Sequence, residues 1–71
     1  MSGGVRALLI FRSNAEALMA HAALSRGGMT AEVIQNPHGC GYALRLRVQT
    51  LESALTLLLA RGVPVSRVEL Q

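Results

Sequence analysis

Lysine and tryptophan are absent from this 71-residue chain, cysteine occurs once, and the aromatic side chains are limited to Phe11 and Tyr42. Each shortage removes a class of function. Without lysine there is no amine for Schiff-base chemistry. Two aromatics are too few for the stacking platforms on which single-stranded nucleic acids are held. One cysteine cannot form an internal disulfide, and in a reducing cytosol it stays a free thiol. The longest uninterrupted apolar run, residues 7–11, is far short of the roughly 20 residues a spanning helix needs, so no membrane partner is expected. The same run is too brief for the apolar core of a secretory signal, which makes the cytoplasm the expected location.

What is present is apolar. Hydrophobic residues make up 51% of the chain and charged residues 15%, against the roughly 25% charged that is usual for a soluble domain. A single domain over residues 5–71 is expected, with residues 1–4 as a flexible N-terminal tail. A domain of this size buries only about 60% of the surface its unfolded chain exposes. So apolar a composition therefore points to surface shared with a copy of the chain or with a partner, and a homo-oligomer is expected. The formal charge is +3, and all seven basic residues are arginine. They are scattered, as solvated rims are, and do not form the stripe that a nucleic acid would need, so no nucleic-acid partner is expected.

Periodicity divides the chain into six elements. Residues 5–12 form a nearly continuous apolar strand. Ser13-Asn14-Ala15-Glu16 then has the form of a capping box, in which the Ser13 oxygen and the Glu16 carboxylate satisfy orphan amides reciprocally. The helix it starts carries Ala15, Leu18, Met19, Ala22 and Ala23 as its expected core face and ends at Gly27-Gly28. Residues 29–35 and 42–48 read as strands joined by the turn Asn36-Pro37-His38-Gly39-Cys40-Gly41. Thr50 is the expected cap of a second helix, with Glu52 in its first turn and Leu51, Ala54, Leu55 and Leu58 facing the core. Leu57 and Leu59 widen its apolar stripe beyond what one sheet requires. Residues 63–70 are a last strand, placed at an edge by Pro64. The order β-α-β-β-α-β predicts an α+β, ferredoxin-like sandwich: a four-stranded antiparallel sheet with two helices on one face.

That topology brings the turn around Cys40 to the end of the sheet where the first helix begins. Nothing else in the chain offers a nucleophile, a paired-carboxylate site or a full ligand set. Cys40 is expected within reach of Arg12, a candidate thiolate stabiliser, and of the amides of Ser13 and Asn14 at the positive end of the helix dipole. Such surroundings favour the thiolate, the form that attacks sulfur. Gly39 and Gly41 leave the sulfur open to approach. The competing reading is a cysteine packed under the hairpin, as free cysteines often are. His38 is either a solvated loop residue or a proton donor beside the thiol. A His38–Cys40 metal site is discounted because two ligands fall short of the four a closed zinc site takes, so neither metal nor cofactor is expected. Arg45 and Arg47, on the face away from the helices with Ala43, belong either to a solvated or dimer-forming sheet surface or to a docking patch for an acidic partner.

The apolar strand ending in Phe11-Arg12-Ser13, the alanine-rich helix, the Pro-containing hairpin and the run Cys40-Gly41-Tyr42-Ala43-Leu44-Arg45 together resemble the small bacterial domains of the selenium/sulfur carrier-like family. The resemblance spans nearly the whole chain. It implies that Cys40 accepts sulfur or selenium as a persulfide or perselenide and passes it to a protein acceptor. The donor it implies is an enzyme of the cysteine desulfurase or selenocysteine lyase type. Gly41 carries over as the spacing neighbour of Cys40 and Ser13 as the helix cap. Two features depart from the family pattern: the loop before Cys40 is short, which limits how far the sulfur can swing, and Tyr42 stands where a smaller apolar residue is common. No second cysteine can resolve a persulfide within the chain, which suits a carrier better than a self-sufficient enzyme. The alternative function is a non-catalytic regulatory or oligomerisation module in which the thiol is incidental.

Overall fold

The computed structural model describes residues 5–71; the tail expected over residues 1–4 lies outside them. Six elements follow in the expected order: β1 (Arg6–Ile10), α1 (Asn14–Arg26), β2 (Glu32–Gln35), β3 (Tyr42–Arg47), α2 (Val48–Ala60) and β4 (Arg67–Leu70). The strands form one antiparallel sheet in the order β2-β3-β1-β4, the ferredoxin-like arrangement. β1 and β3 are its centre, paired from Arg6 opposite Arg47 to Ile10 opposite Ala43. No helix among the described residues is long and apolar enough to cross a membrane.

The core lies between sheet and helices. Ala7, Leu9 and Phe11 from the β1 segment and Leu44 and Leu46 from β3 meet Ala17, Ala20, Ala23 and Leu24 of α1 and Ala54 and Leu58 of α2. The expected face of α1 is corrected here: Leu18 and Met19 are 51% and 56% exposed, Ala15 and Ala22 are exposed, and only Ala23 was rightly placed inside. Side-chain size misleads at this point. An alanine ridge brings the helix backbone close to the sheet, and the close approach of Gly27 to Leu57 of α2 fixes the rotation.

Both helices end alike. The Gly28 amide donates to Ser25 and that of Met29 to Leu24; the Gly62 amide donates to Leu59 and that of Val63 to Leu58. Gly28 and Gly62 hold the left-handed conformation, at φ 79° and 72°, that this Schellman closure requires. The closure takes Met29 and Val63 out of the strands expected for them, so β2 starts at Glu32 and β4 at Arg67.

The helix starts differ from each other. Ser13 caps α1 as expected, its Oγ accepting the Glu16 amide at 3.2 Å. The reciprocal half of the capping box is not made, since Glu16 Oε1 is buried without a hydrogen-bond partner. Thr50 does not cap α2. That helix begins at Val48, directly out of β3, with Arg47 in the capping position and no side-chain hydrogen bond, which leaves Glu52 beyond its first turn.

The sheet face away from the helices is not open. Leu8 and Ala43 lie on it and are fully buried. Two ion pairs cross it: Arg45 Nη2 to Glu32 Oε1 at 2.6 Å, and His38 Nε2 to Glu69 Oε1 at 2.6 Å. His38 belongs to the hairpin loop after β2, one edge strand, and Glu69 to β4, the other, so the loop is drawn across the sheet.

Candidate functional site

The β2-β3 hairpin is closed by its own polar atoms. The Asn36 amide donates to the Gly41 carbonyl at 2.9 Å, the Gly39 amide to the Asn36 carbonyl at 3.3 Å, and the His38 amide to Asn36 Oδ1 at 2.9 Å. That last bond is an asparagine side chain imitating a backbone turn. It fixes the chain just before the thiol.

Asn14, the first residue of α1, ties this loop to the helix. Its Oδ1 accepts the Tyr42 amide at 3.1 Å. Gly41 sits beneath it at φ 94°, and a Cβ there would stand 2.7 Å from the same oxygen. Both the sign of φ and the contact demand glycine at 41. At Gly39 neither does, because a Cβ would meet nothing within 4 Å.

Cys40 is a free, exposed thiol between these two glycines. It lines a concavity of about 390 Å³ with Asn14, Gln35, Asn36, Gly39, Gly41 and Tyr42. No leucine takes part in that lining. The helix start reaches the site through Asn14, while Ser13 faces inward to its own helix as a cap. Arg12 is exposed, one residue before the cap, and is not among the residues lining the concavity. The sulfur thus stands among side-chain amides, glycines and Tyr42 at a sheet end.

His38 is two residues away and turns elsewhere. Its ring meets Glu69 across the sheet, and Arg67 holds the other oxygen of the same carboxylate. These partners keep the Glu69 carboxyl below its ordinary value, the bond from His38 first and that from Arg67 second. Glu69 was not singled out in the sequence. The one available signal was strand alternation, which puts it opposite Leu8 on the face that the loop crosses.

Arg45 lies farther along β3, opposite Leu8 of β1, and does not line the concavity of the thiol. Besides its bond to Glu32 it lines a larger concavity, about 660 Å³, with Arg6 and Arg47 and with Thr30, Thr50 and Ser53. The structure therefore brings Cys40, Gly39, Gly41 and Asn14 together and leaves Arg45 apart. Among the described residues no three of His, Cys, Asp and Glu gather as metal ligands would.

Residues 6–68 match the model of the family described as "Putative Se/S carrier protein-like". No curated protein and no solved structure matches the chain.

Proposed function

The chain belongs to the Se/S carrier protein-like family, and from that premise we propose that Cys40 holds sulfur or selenium as a persulfide or perselenide and passes it to a protein acceptor. The observation that supports this most is the exposure of the chain's one thiol in a concavity lined by glycines, side-chain amides and Tyr42. In loading, the Cys40 thiolate attacks the outer sulfur of a donor persulfide. A new sulfur–sulfur bond forms to Cys40, the donor's own sulfur–sulfur bond breaks, and the donor thiolate leaves with the electron pair. In delivery, an acceptor nucleophile attacks that outer sulfur and Cys40 departs as thiolate. Neither step needs an external oxidant. Selenium follows the same course.

The donor is an enzyme of the cysteine desulfurase or selenocysteine lyase type, working in the cytoplasm, and the exchange at Cys40 itself calls for neither metal nor cofactor on this chain. Asn14 and Gly41 hold the loop to the helix start. His38 steadies the loop through Glu69; for it to give a proton at sulfur, that contact must open. Arg12 acts on the thiolate only by moving toward it. The carrier works as a homo-oligomer, a reading supported by the large apolar side chains left exposed, Leu59 above all.

The test is intact mass after incubation with a desulfurase and cysteine, or with a lyase and selenocysteine. A gain of one sulfur or selenium atom, released by thiol and absent from Cys40→Ser, is expected. An unchanged mass under conditions that load a known carrier overturns the proposal. If Cys40→Ser also leaves every partner interaction intact, the chain is instead an assembly module with an incidental thiol.

A further inference from the structure

The helix layer does not cover the β4 edge. Val68 and Leu70 are paired with Leu9 and Ala7, both core residues, so they face the helices. Yet they are 37% and 65% exposed. On α2, Leu57 meets Gly27 on the side toward α1. Helical spacing then puts Val48, Leu55 and Leu59 on the opposite flank, above β4. Leu59 is 82% exposed and Val48 partly so. An apolar strip thus runs along one side of the molecule over two elements.

The strand beneath it is a sheet edge. The Gln71 amide donates to Arg6 of β1. By antiparallel alternation the amides of Arg67 and Glu69 also turn to β1, and those of Val68 and Leu70 turn outward. Such an edge is a template for another strand.

We propose that β4 and the outer flank of α2 form a two-fold interface with a second copy of this chain, the two β4 strands pairing antiparallel about Val68. This specifies the homo-oligomer of the reading above and does not depend on what Cys40 carries. The choice of a second copy comes from charge. Pairing about Val68 sets Arg67 of each copy opposite Glu69 of the other, in the closer, non-hydrogen-bonded positions. Pairing about Glu69 would set the two Glu69 carboxylates against each other. The edge is complementary to itself, as a two-fold contact requires. β2, the other edge, carries a single charge, Glu32, and offers no such match. Rotation about Val68 joins the apolar strips and places the two Cys40 loops at opposite ends of one eight-stranded sheet.

Sedimentation equilibrium of the whole chain is expected to give twice the 7.5 kDa chain mass. Leu59→Glu/Leu70→Glu should raise the dissociation constant by about tenfold or more. Both side chains are exposed in the single chain, so its melting by circular dichroism under monomeric conditions should be unchanged. The site is checked by a short bismaleimide, which alkylates one cysteine on each copy, with Cys40→Ser/Val68→Cys joining copies and Cys40→Ser/Val33→Cys, on β2, not doing so. A monomer at every concentration overturns both this interface and the homo-oligomer. A dimer that tolerates the two glutamates and cross-links through position 33 but not 68 overturns this interface alone.

Discussion

α1 and α2 end with the same hydrogen bonds and begin in opposite ways. α1 is capped by Ser13, and its first residue reaches out to hold the hairpin; α2 runs straight out of β3 with no capping side chain. At the first start, polar atoms are committed to backbone amides, and the loop docked there carries the thiol. The second start opens on arginines: Arg6 and Arg47 face each other directly across the β1-β3 pair, an arrangement that like charges disfavour. The lesson is that two β-α halves of one shape divide their tasks by what happens at the helix start. One start fixes a loop. The other only continues a strand.

The sharpest way to break that contrast is at Gly41. Gly41→Ala must accept a left-handed φ and displace Asn14 Oδ1, so it should cost about 1–3 kcal/mol in urea denaturation and free the loop from α1. Alkylation of Cys40 should change in rate with it. Gly39→Ala, with open space around the new methyl, should stay within about 0.5 kcal/mol of the parent. Equal costs at the two positions would mean that the docking of the loop on Asn14 does not hold it.

The caps give the next effect. Ser13→Ala removes the acceptor for the Glu16 amide and should cost about 1 kcal/mol. Arg47→Ser supplies α2 with the side-chain acceptor it lacks, at a residue whose extended backbone, φ −70° and ψ 143°, suits a cap. It should gain about 0.5–1 kcal/mol and also relieve the facing arginines. Thermal melts of the two variants should move in opposite directions. A loss at both would show that Arg47 supports its end of the sheet in a way the missing cap does not account for.

Much of this was legible beforehand because it is local. Ser13 before an alanine-rich stretch, Gly27-Gly28 at the end of the first helix, and the glycines around Cys40 each act within a few residues, and strand alternation supplied the sheet. The misreadings came where distant contacts decide. Leu18 and Met19 looked like core, but the alanine ridge and Leu57 of the other helix set the rotation of α1. Thr50 looked like a cap, but β3 continues into the helix and puts Arg47, three residues earlier, in the capping position. Placing Cys40 beside the α1 start needed only the topology. The Asn14 bond to Tyr42 and the His38 bond to Glu69 join residues 28 and 31 positions apart, and no pattern in the chain announces them.

The His38–Glu69 contact sets the smallest effect and ties the loop to β4 as well as to α1. Its pH dependence has a definite sign. The Glu69 carboxyl in the folded chain lies below its ordinary value of 4.5, held there by His38 and then Arg67. The folded state therefore gains from the ionised carboxylate above pH 4.5, and the gain disappears as pH falls through the lowered folded value. Glu69→Gln should accordingly melt below the parent at neutral pH and match it in acid. Because the pair is exposed, the difference should also shrink in high salt. A gap between parent and variant that persists in acid would mean that the glutamine disturbs β4 itself, and that Asn14 alone holds the loop.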